Sequence, residues 1–222
     1  MIYRIRAASI NKIVGSIASI KMRDDYAPEL IRAVGRMKQR GKLDILPDLN
    51  GIEIRKRAKP NDIIICIPLS RSGILISQSL KQIVEGFKFP DEVQWVEATA
   101  THYDKSFKYH YFYNYESPEK DLIDWDRSKY VEVNHVGKPK SEVQYSISLE
   151  EIEHMRKNRK VRYDSPKSLY FKRSIPYDFF RLVYSTPGYF VSERLKNALE
   201  ESDCEGVELT PITELGFDVV FE

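Results

Sequence analysis

Ser70 to Glu85 reads S-R-S-G-I-L-I-S-Q-S-L-K-Q-I-V-E, and 115 residues later Ser185 to Glu200 reads S-T-P-G-Y-F-V-S-E-R-L-K-N-A-L-E. The stretches share Ser70/Ser185, Gly73/Gly188, Ser77/Ser192, Leu80/Leu195, Lys81/Lys196 and Glu85/Glu200. In each, a glycine permits a chain-reversing turn and three apolar residues (Ile74 to Ile76, Tyr189 to Val191) extend from it. A serine, Ser77 or Ser192, then stops the strand and caps a helix. Leu80, Ile83, Val84 and Phe87 fall at the spacing of one buried helix face, with Lys81 and Glu85 four apart on its flank. The second helix carries the shorter stripe Leu195, Ala198, Leu199. Turns at Phe89 to Asp91 and Asp203 to Gly206 lead into strands Val93 to Ala98 and Val207 to Ile212. Each copy is therefore a strand–helix–strand unit, about residues 63–98 and 178–212, whose helix covers one face of a sheet as a right-handed crossover. The expected fold is α+β: a single domain over residues 1–222, built on two similar units packed on mixed sheets.

Outside the repeat, Ala27 to Gly41 has a helical pattern, with Pro28 in the first turn, Leu30, Ile31, Val34 and Met37 as the stripe and Gly41 as the stop. Ile63 to Leu69 reads as a central strand. Tyr109 to Tyr115 alternates, placing Tyr109, Tyr111, Tyr113 and Tyr115 on one face and His110, Phe112 and Asn114 on the other. A loop-rich region is expected next. Ser148 to Asn158 reads as a helix, because Ser148 and Glu151 have capping-box spacing. Leu169 to Phe171 and Phe179 to Tyr184 read as strands.

With 222 residues, 42% hydrophobic and 31% charged, the chain has the composition of a folded globular protein. Cys66 and Cys204 lack CxxC spacing and are expected as reduced core thiols, which favours a reducing compartment. Arg4, Arg6 and Lys12 precede an apolar run, Ile13 to Ile20, that Gly15, Ser16 and Ser19 make too weak for a signal peptide. No stretch approaches a membrane span, so the chain is expected to be cytoplasmic, with no membrane partner. The net charge of +2 is unevenly spread. Basic residues crowd Lys21 to Pro60 and Arg156 to Arg162, whereas after Lys196 every charged residue is acidic. Such loading steers a charged partner.

Catalytic signatures are missing from the sequence. There is no G-x-S-x-G, P-loop, H-E-x-x-H or paired CxxC, and His102, His110, His135 and His154 are scattered. Asp121, Asp124 and Asp126 form a carboxylate group. An extended Asp124-Trp125-Asp126 would put two acids on one side, as a metal site or general base requires. Nothing accompanies them, so no enzyme activity, cofactor or metal is expected.

Tyr177-Asp178-Phe179-Phe180-Arg181-Leu182, then Tyr189-Phe190-Val191-Ser192-Glu193-Arg194-Leu195-Lys196 and Gly206-Val207-Glu208-Leu209-Thr210-Pro211-Ile212, resemble the C-terminal signature of immunity proteins of bacterial polymorphic toxin systems. Asp121 to Tyr130, after a tyrosine-rich strand, is similar to the central part of that family. The resemblance covers about residues 63–212 and implies a cytoplasmic protein that binds and neutralises a cognate protein toxin. The family supplies no catalytic residues. Two partner-binding surfaces are expected on this reading: Tyr111, Tyr113, Asp124, Trp125, Asp126 and Arg127, and the acidic Glu200, Glu201, Asp203, Glu205 and Glu208. The alternative is a nucleic-acid-binding accessory protein using Arg32, Arg36, Lys38, Arg40 and Lys42 with the 156–162 stretch, which the acidic tail and near-neutral charge weigh against.

Overall fold

Ser77 and Ser192 each end a strand and begin a helix in the computed structural model, with φ, ψ of −66°, 167° and −70°, 165° and side chains that accept the N–H groups of Leu80 and Leu195. The structure describes residues 1–8, 20–22, 41–56, 58–64, 73–133, 139–157, 163–172 and 174–222. Its strands and helices run β1 (Ile2–Ala7), β2 (Ile20–Met22), β3 (Leu49–Ile54), β4 (Ile63–Ile64), β5 (Gly73–Ser77), α1 (Gln78–Val84), β6 (Val93–His102) and β7 (Lys105–Asn114). They continue through α2 (Glu119–Leu122), β8 (Lys129–Val133), β9 (Pro139–Tyr145), α3 (Leu149–Lys157), β10 (Tyr163–Phe171), β11 (Phe179–Leu182), β12 (Gly188–Ser192), α4 (Glu193–Glu200), β13 (Val207–Pro211) and β14 (Asp218–Phe221). The fold is α+β on mixed sheets.

Both repeats are strand–helix–strand units, and they lie in different sheets. The first belongs to the sheet β2-β3-β6-β7-β5-β4, the second to β11-β12-β1-β13. In each, the two strands joined by the helix run parallel to one another with an antiparallel strand between them. That central strand is β7 between β5 and β6, and β1 between β12 and β13. A short antiparallel strand, β4 or β11, flanks each unit. The third sheet, β14-β10-β8-β9, stands apart from the repeat.

The helices meet over a shared core. Leu80 and Val84 of α1 and Leu195 and Leu199 of α4 are buried among Ile63, Ile76, Phe112, Phe179, Tyr189 and Val191, which come from both repeat sheets. The opposite face of β7 buries Tyr109, Tyr111 and Tyr113 against Leu49, Ile52 and Val96, so the strand alternates as expected between two apolar environments. A further core joins Phe180 and Phe190 to Leu122 of α2 and to Leu169 and Phe171 of the third sheet.

Several expectations change. Gly73 and Gly188 do not make left-handed turns; among the described residues the glycines with positive φ are Gly41, Gly206 and Gly216. At Gly73 the requirement is space, since a Cβ there would lie 2.3 Å from the Tyr111 ring and 2.5 Å from the Phe112 carbonyl oxygen. The region expected to be loop-rich contains β8 and β9, and Tyr130 and Val133 of β8 are buried although Lys129 and Glu132 interrupt the apolar pattern. The helix expected over Ala27 to Gly41 lies outside the described residues except for Gly41, as do Cys66 and the remainder of the strand expected over Ile63 to Leu69 beyond Ile64. Leu169 to Phe171 is the end of the longer β10. The capping box stands: Ser148 N–H donates to Glu151 at 2.8 Å and Glu151 N–H to Ser148 Oγ at 3.1 Å. Among the described residues no helix is long and apolar enough to cross a membrane.

Candidate functional site

The first expected surface is divided by the fold. Tyr111 and Tyr113 have 0% and 1% of their surface exposed and belong to the core, so the expectation that they contact a partner is corrected. Alternation placed them on one face of β7, and on that face they pack in a buried apolar cluster with Leu49 and Ile52 of β3 and Val96 and Ala98 of β6 in the same sheet. Trp125 is also buried, stacked on Tyr130 with ring centroids 6.2 Å apart. The segment around it is a turn and not an extended strand. The Asp124 carboxylate accepts the Arg127 N–H at 3.2 Å, while its carbonyl accepts the N–H and hydroxyl of Ser128. Asp126 and Arg127 remain exposed; Arg127 pairs with Glu222 and lies over the Tyr170 ring at 4.6 Å. The turn spends Asp124 on its own backbone, so the paired-carboxylate geometry is not formed. Among the described residues no group of three or more His, Cys, Asp or Glu side chains is placed to hold a metal.

The second expected surface is brought together more closely. Glu200, Glu201, Asp203 and Glu205 are exposed around the end of α4 and the turn that follows it. Glu200 pairs with Lys196 four residues earlier, as the sequence spacing requires. Glu208 lies further on, in β13, partly buried and paired with Arg6 of β1. Of the alternative basic surface, Lys42 is exposed, and Arg32, Arg36, Lys38, Arg40 and 159–162 lie outside the described residues.

The turn carrying these carboxylates is held by a residue that sequence reasoning missed. Asp62, just before β4, donates its N–H to the Glu205 carbonyl at 2.9 Å, and its carboxylate accepts the Glu205 N–H at 2.7 Å. The same carboxylate accepts the hydroxyls of Ser77 and Ser79, the latter at 2.8 Å, and the Asp62 carbonyl accepts the Ser77 N–H. Asp178, just before β11, repeats every part of this. It donates its N–H to the Lys88 carbonyl at 2.6 Å, accepts the Lys88 N–H at 3.0 Å, and accepts the Ser192 hydroxyl at 2.6 Å and the Ser192 N–H at 2.9 Å. Arg194, at the position matching Ser79, completes the set by pairing with Asp178. Burial alone would push the Asp178 carboxyl up, but the hydrogen bonds from Arg194, Ser192 and Lys88 and the Arg194 charge outweigh it and hold the group below its ordinary value. Arg194 is correspondingly pushed up by its bond to Asp178.

The signal existed in the sequence. An aspartate precedes each unit's first strand, but it stands fifteen residues before Ser77 and fourteen before Ser192, so a constant offset passes over the pair. No family model matches the chain, and no curated protein matches it. The residues that carry the resemblance noted above are largely engaged within the fold: Ser192 and Arg194 both bond to Asp178, and Gly206, at φ +71°, packs against Asn61, where a Cβ would come within 2.3 Å.

A buried carboxylate was also missed. Glu119 is fully buried in α2 and accepts the N–H groups of Val183, Tyr184 and Ser185 at 2.7, 2.8 and 2.6 Å, together with the hydroxyls of Ser117 and Ser185. It fixes the corner that feeds β12, which gives the shared Ser185 a structural role.

Proposed function

We propose that the protein is a cytoplasmic immunity protein that binds a cognate bacterial toxin and neutralises it by covering part of the toxin's surface. The observation that carries this reading is the stretch from Tyr177 to Ile212. It is similar in sequence to the C-terminal signature of such proteins, and it folds as one strand–helix–strand unit whose polar residues Asp178, Ser192 and Arg194 are turned on one another. A unit stiffened in this way loses little freedom on binding. It leaves Glu200, Glu201, Asp203 and Glu205 exposed, a set that suits a toxin with a basic surface.

The test is co-expression of the tagged protein with the products of adjacent open reading frames, followed by pull-down and growth rescue. A one-to-one complex that restores growth to cells carrying the toxin is the expected result. Replacing Glu201, Asp203 and Glu205 together by lysine should slow association at low salt by about tenfold. Co-purification of nucleic acid in a salt-sensitive way, with no protein partner, would overturn the reading.

A further inference from the structure

The bonds around Asp62 and Asp178 close on themselves. Starting at α1, its following turn reaches Asp178 through Lys88, and Asp178 holds Ser192, the N-cap of α4. The turn following α4 reaches Asp62 through Glu205, and Asp62 holds Ser77, the N-cap of α1. Each aspartate therefore ties the start of its own unit's helix to the turn after the other unit's helix. The helices are the stiff links between these ties, and they share one apolar core through Leu80, Val84, Leu195 and Leu199.

We propose that the two aspartates form one closed conformational ring, so that the acidic turn at Glu205 is held from the far side by Asp178 as well as directly by Asp62. The physical reason is that each tie uses a carboxylate as an acceptor on both sides at once. Asp178 gives one oxygen to the Ser192 hydroxyl and the other to the Lys88 N–H, with Arg194 bridging the two oxygens. Loss of either side lets the N-cap and the opposing turn move apart. Motion of α4 then reaches Glu205, because the turn after α4 is short and ends on Asp62. Coupling of this kind needs an element that has two arrangements, closed and open, which both ends bias. It must also be reciprocal: whatever Asp178 does to Glu205, Asp62 does to Lys88. This inference is independent of what the protein binds.

The experiment is amide hydrogen exchange on the full chain carrying Asp178→Asn, which replaces one acceptor oxygen by a donor facing other donors. The expected result is exchange about tenfold faster at the Glu205 and Asp62 amides, as well as at Lys88 and Ser192, the size expected for loss of one charge-assisted hydrogen bond. The amide of Tyr170, which lies in β10 of the third sheet and donates to the Ser128 hydroxyl, should keep its wild-type rate. Asp62→Asn should loosen Lys88 in return. Acceleration confined to Lys88 and Ser192 would overturn the ring and leave two independent ties. Equal acceleration at Tyr170 would overturn it too, by showing that the protein opens only as a whole. If Asp178→Asn does not fold, Arg194→Ala removes one arm of the same tie, leaves both helix caps in place and is read at the same amides.

Discussion

Asp178 shows how a single side chain can be unremarkable in sequence and decisive in structure. Its neighbours Tyr177 and Phe179 mark it as the start of a strand, yet its partners, Lys88, Ser192 and Arg194, come from two other segments. Because its folded carboxyl lies below the ordinary value, it contributes stability that is present above the unfolded pKa of about 3.9 and is lost as pH falls through the lower folded value. Wild-type stability to urea should therefore fall more steeply below about pH 4 than that of Asp178→Asn, which has no proton to take up there. Parallel pH profiles for the two would show that the carboxylate is not held as described. Glu119 makes the same point from within the core, where three backbone N–H groups depend on it. Neither residue belongs to a periodic pattern, and only the helix caps Ser77, Ser192 and Ser148 were legible one residue at a time.

At the scale of elements, the two units are equivalent in connection but not in fit. Gly73 opens β5 where the Tyr111 ring and the Phe112 carbonyl of β7 come close, and neither yields, because Tyr111 is fully buried and the carbonyl belongs to a central strand. Gly188 opens β12 against the end of the Arg4 side chain, 3.0 Å from the position a Cβ would take. Gly73→Ala should then cost about 1–3 kcal/mol, the range for an overpacked core, and Gly188→Ala clearly less, since Arg4 can swing aside. Equal losses in urea unfolding would mean that the glycines serve the same purpose, as their shared place in the repeat suggests. The elements themselves were readable where period and cap agreed, as in α1, α4, α3 and β7. They were missed where charges interrupted the alternation, as in β8, or where nothing local marked a strand as central, as in β1.

For the whole molecule, the notable asymmetry is the source of each unit's central strand. In the first unit it is β7, the hairpin continuation of β6; in the second it is β1, the start of the described chain, inserted between β12 and β13. Deleting residues 1–8 would remove Ile2, Tyr3 and Ile5 from the core and leave β12 and β13 with unpaired inner edges. The shortened protein should lose cooperative unfolding and soluble expression, whereas an unchanged urea midpoint would contradict this pairing. The α+β class, both strand–helix–strand units, their serine caps and the acidic turn followed from the sequence alone, because each rests on spacing within about thirty residues, where period, capping and charge act locally. The placement of Tyr111, Tyr113 and Trp125 in the interior, the turn at Asp124 to Arg127, and the reciprocal ties of Asp62 and Asp178 were decided only by the tertiary structure. Those features depend on which distant segments meet, and a hydrogen bond or a covered face between them leaves no periodic trace in either segment.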